Sequence, residues 1–385
     1  MNALGHALSL TGSMAWSILW ALIFGFALSA VIQAVVRRSA IVRALGDHRP
    51  RTLAVATGFG MASSSCSYAS VALARSLFRR GADFTAAMAF EIASTNLVIE
   101  LGVILALLMG WQFTLAEFMA GPIIIVIVAL LFRVVLRQKV LDAAAEQADK
   151  ALAGSMEGHA AMDMSADGDG SFLSRLFSGK GATAVANVFV MEWAAIWKDL
   201  IGGLLIAGAI GAWVPDSFWQ GLFLEDSGLL SAIWGPIIGP IVGIFSFVCS
   251  VGNVPLAVVL WTGGISFGGV MAFIFADLLI LPILNIYRKY YGMAMTVRIT
   301  LVFYVAMVAT GYLIEIVFSA LDLMPDASSA HLPDEGISWN YTTWLNIVAL
   351  VLAGALVTRF VRQGGTSMLS MMGGSPSDSD SGTAD

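Results

Sequence analysis

The chain contains an internal repeat. The stretch from Ser63 to Gly81 recurs, 183 positions further on, as the stretch from Ser246 to Gly264. Without a gap, this register aligns about 14 identical residues in about 42 positions. Both cysteines of the chain fall at the same position of the repeat, and a serine follows each of them. Such a duplication predicts that the two halves of the chain fold in the same way.

The composition excludes a soluble globular domain. Hydrophobic residues make up 58% of the chain and charged residues 12%, and the mean hydropathy is +0.84. A soluble domain is only about 45–50% apolar. Apolar runs of about 20 residues recur along the chain, which is the length that a helix needs to cross a bilayer. The first run, Met14 to Val36, is too long for a cleaved signal sequence, so we predict an all-α polytopic membrane protein.

Basic residues predict the orientation of the spans, because short cytoplasmic loops are rich in arginine and lysine. Five arginines lie between residues 37 and 51, which places the N-terminus outside the cell. The segment Thr52 to Phe78 is interrupted by glycines and serines, and the later basic clusters all lie inside only if it enters and leaves on the cytoplasmic side. The segment Leu229 to Trp261 is broken in the same way and enters from outside.

These segments predict two inverted-topology repeats, each with a broken, re-entrant helix hairpin, and about seven full spans in addition. The C-terminus is then cytoplasmic, in a protein of the cell inner membrane. The predicted units are a first transmembrane repeat at 1–137, a partly helical and partly disordered cytoplasmic linker at 138–182, a second transmembrane repeat at 183–318, an outer loop at 319–340, a last transmembrane helix at 341–362 and a disordered cytoplasmic tail at 363–385.

The two breaks form the predicted binding site. Inverted repeats bring their broken helices together near the middle of the membrane, where unwound backbone offers free N–H and C=O groups. Thiolates bind soft ions, so the two cysteines are also the predicted metal ligands. The alternative is that each cysteine is a small residue buried for packing alone. The predicted substrate contacts are Cys66, Ser67, Cys249, Ser250 and Asn253.

Acidic residues within apolar helices are candidates for proton coupling. A carboxylate is costly in hydrocarbon, so it has to face a polar cavity or carry a proton. Glu91 lies in the segment Phe84 to Gly110 and Asp277 in the segment Phe267 to Tyr287, both expected to cross the membrane as unbroken helices. We predict that Glu91 and Asp277 take up and release the coupling protons. The alternative is an acid that stays protonated and joins two helices by a hydrogen bond.

Some features favour other interpretations. The linker run from Met156 to Met164, which includes His159, suits a soft metal. The alternative function is therefore a channel or a membrane scaffold that delivers a metal ion or redox group to a partner protein. No H-E-x-x-H or G-x-x-x-x-G-K motif is present, and neither an enzyme nor a cofactor is predicted.

Arg75 lies among apolar residues and is expected to extend to the cytoplasmic interface rather than to contact an anion.

The two breaks also resemble a known family. Cys66-Ser67 and the run C-S-V-G-N-V-P at 249–255 are similar to the bacterial permease family that includes the ArsP organoarsenical efflux permeases. The resemblance covers roughly residues 52–315. It implies an inner-membrane permease with two homologous halves that exports trivalent organoarsenicals through cysteine thiols. The first copy departs from the family pattern P-x-C-S-C-G-x-x-P, because residues 64–72 read S-S-C-S-Y-A-S-V-A and hold a single cysteine.

The predicted function combines the resemblance with the acids found within apolar helices. It is an inner-membrane secondary transporter that exports a small soft-metalloid or organoarsenical-like substrate by proton coupling. The predicted partners are the lipid bilayer and this small molecule, without nucleic acid. The oligomeric state is open, and a homo-oligomer is one of the states that the sequence allows.

Overall fold

The described part of the chain is helical. The computed structural model describes residues 3–35, 45–47, 49–65, 67–79, 81–149, 176, 178–213, 221–223, 228–246, 250–325, 339 and 341–366, and no strand occurs in these ranges. This confirms the all-α prediction. The helices are α1 (Ala3–Val35), α2 (Pro50–Ser63), α3 (Ser67–Arg79), α4 (Phe84–Asn96), α5 (Ile99–Leu108), α6 (Trp111–Val135), α7 (Gln138–Asp149), α8 (Gly179–Trp213), α9 (Gly228–Ser246), α10 (Ser250–Thr262), α11 (Phe267–Ile274), α12 (Leu281–Tyr291), α13 (Met293–Ala320) and α14 (Tyr341–Arg362), with a 3-10 turn at Phe275–Leu279.

The repeat found in the sequence is also a repeat of helices. The series α2–α5 corresponds to α9–α12, and α3 and α10 begin and end at equivalent positions. In each half a glycine with positive φ turns the chain after this helix, Gly81 at 97° and Gly264 at 92°, a conformation that other residues rarely adopt. The next helix then begins at an equivalent capping residue, Asp83 or Ser266, whose side chain accepts backbone N–H groups of the first turn.

Ser266 is also the serine of a G-x-S-x-G match at residues 264–268. In hydrolases this motif forms a sharp turn between a strand and a helix that exposes the serine hydroxyl. Here it joins two helices, and the hydroxyl accepts the N–H of Gly269 at 3.2 Å. In this chain the serine of the motif therefore caps a helix.

The same close helix contact recurs in both halves. α2 crosses α4 at Gly60, where a Cβ atom would lie 2.5 Å from the carbonyl oxygen of Phe90 and 2.7 Å from Cβ of Ala93. At the equivalent Gly243 of α9, a Cβ atom would lie 2.4 Å from Cβ of Ala276. Small residues let two helices in a membrane approach closely. The matching contacts support the prediction that the halves fold alike, whereas their inverted orientation stays a prediction.

Two segments that the sequence predicts to be unbroken are bent. In the segment 84–110, α4 and α5 meet at 41°, and in the segment 267–287 the bend before α12 is 45°. The hydroxyls of Ser94 and Thr95 donate to backbone carbonyls one turn back, and such bonds compete with the helix ladder. Pro282 lies in the first turn of α12, where its missing N–H costs nothing. The prediction of unbroken helices here is wrong.

Helix length and composition support several membrane spans. α6, α13 and α14 are each long and apolar enough to cross a bilayer, and the bent pairs α4–α5 and α11–α12 raise the number to five if each pair is one span. The sequence predicts about seven full spans. The two further predicted spans lie within α1 and α8, which are 33 and 35 residues long.

The predicted linker contains a docked helix. α7 packs against α3 and α12 and buries Ala144 and Ala148. Arg75 of α3 is fully buried. Its Nε and Nη2 donate to the Ala148 carbonyl at 3.2 and 2.7 Å, and its guanidinium lies 4.2 Å from the ring centre of Tyr290. We call these contacts of Arg75, Ala148 and Tyr290 the Arg75 clamp. The guanidinium is thus buried against the last turn of α7, which supplies its acceptor, and the expectation that Arg75 extends to the cytoplasmic interface stays a prediction.

One long helix begins inside the predicted linker. α8 begins at Gly179, within the predicted linker at 138–182. Residues 150–175, with the methionine and histidine run, lie outside the described residues, as do most of the outer loop and the tail beyond residue 366. Their predicted properties stay predictions.

Candidate functional site

Asp277 lies where α3 and α10 begin. It belongs to the 3-10 turn between α11 and α12, and its side chain is fully buried. The Ser67 hydroxyl donates to its Oδ2 at 2.5 Å, and Oγ of Ser67 lies 3.5 Å from Oγ of Ser250. Ser67 and Ser250 are the first residues of α3 and α10 and occupy the same position of the repeat. The fold therefore brings one half-helix from each repeat to a single carboxyl group.

The surroundings of Asp277 are rich in hydrogen-bond donors. Nδ2 of Asn96, the last residue of α4, lies 3.4 Å from its Oδ1. The Ser250 side chain and the backbone of Leu278 also bond to the carboxyl group. The starts of α3 and α10 lie beside it, and free N–H groups at helix N-termini carry partial positive charge. Together these groups are suited to hold a carboxylate.

The first repeat has no acid at the position equivalent to Asp277. Ser94 occupies that position, and its Oγ lies 2.7 Å from Oγ of Ser70. Its backbone carbonyl accepts the N–H of Ser65 at 2.8 Å. These bonds attach the break between α2 and α3 to the end of α4.

Asn253, a predicted substrate contact, lies on α10 next to the second break. Its Oδ1 accepts a hydrogen bond from the Ser246 hydroxyl at 3.2 Å, and its Nδ2 has no hydrogen-bond partner among the described residues. The other two predicted contacts, Cys66 and Cys249, lie outside the described residues. Their roles as substrate contacts and metal ligands therefore stay predictions.

Glu91, a predicted coupling acid, is fully buried on α4. Its Oε1 accepts a hydrogen bond from the Tyr287 hydroxyl of α12, and its Oε2 has no partner in the described part of the chain. Its carboxyl group is close enough to that of Asp277 for the two to interact electrostatically. The two predicted acids thus share one polar region. Tyr287 was not predicted as a site residue, because the run I-Y-R-K-Y-Y at 286–291 is typical of the basic end of a helix.

Glu117 of α6 is a third buried acid, and sequence analysis missed it as well. Its side chain is fully buried, and neither carboxyl oxygen has a hydrogen-bond partner among the residues described. It interacts electrostatically with Asp277. An acid inside an apolar run is a usable signal. Comparing the halves does not point to it, since its repeat equivalent is Thr300.

The side chains around Asp277 offer oxygen atoms and amides. Across the described ranges, no three His, Cys, Asp or Glu side chains converge as metal ligands. The region can therefore hydrogen-bond a polar molecule and exchange protons. Any chemistry with a soft metal depends on the two cysteines.

Known proteins give a consistent assignment. The ArsP_1 family, described as "Predicted permease", matches residues 3–316 of the chain. A protein of Mycobacterium tuberculosis (strain ATCC 25618 / H37Rv) named "Putative permease Rv2963" is 69% identical over 376 residues, which are 98% of this chain and 93% of that protein. No solved structure matches the chain. The resemblance inferred from the two breaks is confirmed, and the chain is a multi-pass membrane protein that belongs to the ArsP_1 family of predicted permeases.

Proposed function

We propose that the chain is a secondary transporter of the cell inner membrane that exports a small soft-metalloid or organoarsenical-like substrate in exchange for protons. The observation that carries this proposal is the meeting of Ser67 and Ser250 at Asp277. Transporters built from two repeats bind substrates and coupling ions at broken helices, where helix ends and unwound backbone are free. The proposal assigns no enzymatic reaction and no cofactor to the chain.

The proposed orientation follows from the basic residues. The N-terminus lies outside and the C-terminus in the cytoplasm, so the two repeats have inverted topologies. Inversion lets the same pair of helices open to one side of the membrane or to the other by equivalent movements. Asp277 and its donors would then face each side in turn.

The proposed substrate class rests on the two cysteines. Cys66 directly precedes Ser67 and Cys249 directly precedes Ser250, so each thiol is one residue from a group that contacts or faces the central carboxyl. Thiolates prefer soft partners. A substrate with a soft, thiol-reactive centre and a polar group would use the thiols together with Nδ2 of Asn253, which has no hydrogen-bond partner among the described residues.

Proton exchange is assigned to the predicted acids Glu91 and Asp277. Both are fully buried, and a buried charge that lacks a counter-charge is expensive. Two interacting carboxyl groups in such a place are not both ionised at low cost, so proton uptake and loss at one of them depends on the other.

The test uses the full chain in proteoliposomes with an imposed pH gradient and phenylarsine oxide as the probe. We expect flux above that of protein-free liposomes, faster with the gradient. Asp277→Asn should lose the gradient-dependent part, and Cys66→Ser and Cys249→Ser should each lower the flux at least about tenfold. Gly58→Ala, an exposed position with open space around it, is the control.

Two results would overturn parts of this proposal. Wild-type flux equal to that of protein-free liposomes would remove arsenicals as substrates. Gradient-dependent flux retained by Asp277→Asn would remove Asp277 from proton coupling while leaving a transporter.

A further inference from the structure

Glu117 faces the same region as Asp277 from a third direction. Residues four apart on a helix share a face, so Phe113 and Gly121 mark the side of α6 on which Glu117 lies. The ring of Phe113 lies 4.8 Å from that of Phe267, at the start of α11. Gly121 packs against Leu97 in the break between α4 and α5, where a Cβ atom would lie 2.2 Å from the leucine Cδ2. The Glu117 face of α6 is thus turned toward α11 and the bend of the first repeat.

The Glu117 carboxyl group is unusual in having no hydrogen-bond partner for either oxygen among the described residues, although its side chain is fully buried. An unpaired buried polar group costs about 1–3 kcal/mol, and a charged one costs more. Buried polar groups are otherwise nearly always paired, so each exception calls for an explanation. A packing role does not supply one, because Leu or Met would fill this space without the cost.

Glu117 and Asp277 have opposite surroundings. Asp277 receives bonds from Ser67, Asn96 and Ser250 and from the backbone of Leu278, whereas Glu117 receives none from the described residues. Their carboxyl groups are close enough to interact, so one negative charge opposes a second. The charge of the pair therefore belongs on Asp277 and the proton on Glu117.

The other titratable side chains on the helices around α6 are directed elsewhere. Glu91 of α4 is bonded to Tyr287, and Glu100 of α5 packs against Gly25 of α1. Glu315 of α13 accepts the N–H of Gly268. Arg298, also on α13, is half-buried and donates to the Ala294 carbonyl. The α13 hydroxyls of Tyr304 and Tyr312 donate to backbone carbonyls of α9, and α11 carries no titratable residue. Asp277 is thus the titratable group of the described chain that faces Glu117.

We propose that Glu117 is a further proton-carrying acid of this permease and that it works as a pair with Asp277, the two groups holding one proton between them. The inference rests on the proposed function, since a carrier of protons has a purpose only in a coupled transporter. Asp277 contacts both repeats, so a movement of the two breaks that changes its donors also changes whether Glu117 keeps its proton. The substrate and the proton then compete for the same pair of carboxyl groups.

The test needs no substrate. Dicyclohexylcarbodiimide modifies protonated carboxyl groups in apolar surroundings, and mass spectrometry of the full chain in detergent locates the adduct. We expect an adduct on Glu117 that decreases as pH rises and that is lost in Glu117→Gln. In Asp277→Asn, half-maximal modification of Glu117 should move to lower pH by about one unit or more, because the neighbouring negative charge is gone. Glu100→Gln, which removes a buried acid that faces α1, should leave the profile unchanged.

A second measurement is independent of reagent access. Infrared spectroscopy detects the C=O stretch of protonated carboxyl groups, and Glu117→Gln should lower this band relative to the wild-type protein. An unchanged band in Glu117→Gln at every pH would overturn the proposal. So would a loss of Glu117 modification when Na⁺ is raised at constant pH, because the pair would then bind Na⁺ instead of a proton.

Flux measurements separate this inference from the proposed function. If phenylarsine oxide is not transported but Glu117 behaves as described, the substrate class is wrong and the carboxyl pair stands. If the probe is transported and Glu117→Gln keeps its full dependence on the pH gradient, the transporter stands and Glu117 is not its proton carrier.

Discussion

Replacing Arg75 by alanine tests how the linker helix is attached to the transport core. In the Arg75 clamp, the guanidinium of α3 donates twice to the Ala148 carbonyl of α7, at 3.2 and 2.7 Å, and lies 4.2 Å from the ring centre of Tyr290. Arg75→Ala removes both donors and the ring contact at once. Because α3 begins at the candidate site, these contacts link the linker to Ser67 through one short half-helix.

The size of the effect follows from these contacts. A hydrogen bond from a charged donor contributes about 1.5–3 kcal/mol, and a cation over an aromatic ring about 0.5–2 kcal/mol. Docking of α7 also removes the guanidinium from water, which offsets part of this gain. We therefore expect Arg75→Ala to weaken docking by about 1–3 kcal/mol, or about fivefold to 150-fold in the population of undocked α7.

Hydrogen–deuterium exchange measures this population. The amides of α7 should exchange faster in Arg75→Ala by that factor, whereas those of α13 should be unchanged. Arg75→Lys keeps the charge without the planar fork and should lie between. Arg133→Ala, which removes an exposed arginine from the last turn of α6, is the matched control. Exchange of α7 within about twofold of the wild-type rate in folded Arg75→Ala would show that the Arg75 clamp does not hold α7 in place.

Two further predictions concern packing between the broken helices. Gly60→Ala places a Cβ atom 2.5 Å from the Phe90 carbonyl oxygen and should destabilise the protein by about 1–3 kcal/mol, measured by thermal unfolding in detergent. Gly58→Ala, with nothing within 4 Å, should stabilise it by up to about 1 kcal/mol, and equal effects of the two changes would contradict the close contact. Tyr287→Phe removes the hydroxyl that bonds Glu91 and should cost about 1–3 kcal/mol. In combination with Glu91→Gln the loss should be less than additive, since the two groups are partners; strict additivity would mean that they do not interact.

The helix breaks could be predicted because they leave a local signal. Glycines and serines interrupt an apolar pattern at 58–67, and glycines, serines and three prolines do so at 236–255; the duplicated register fixes which residues are equivalent. The structure accordingly ends α2 at Ser63 and α9 at Ser246, and begins α3 at Ser67 and α10 at Ser250. The serine contacts at Asp277 follow from this register.

The bends and the Arg75 clamp could not be predicted in the same way. The bend after α4 depends on the hydroxyls of Ser94 and Thr95, which bond to their own helix, and serine and threonine also occur in straight helices. The position of Arg75 depends on α7, which approaches from about 70 residues further along the chain. Hydropathy describes each helix alone, so it indicates neither the bend after α4 nor the contact between Arg75 and α7.

The acids show where comparison of the two halves stops being informative. Glu91 is matched by Ile274, Glu117 by Thr300 and Asp277 by Ser94, so each acid lies where the other half has none. A symmetric arrangement would bury twice as many carboxyl groups in one region, and each additional charge would raise the cost of the others. Serine, threonine and isoleucine at the equivalent positions keep the helix contacts and avoid that cost. The repeated residues therefore build the two broken helices and supply the proposed substrate contacts, whereas the acids of the proposed proton coupling lie where the halves differ; a search for coupling residues in such a chain should begin with the polar positions at which its halves differ.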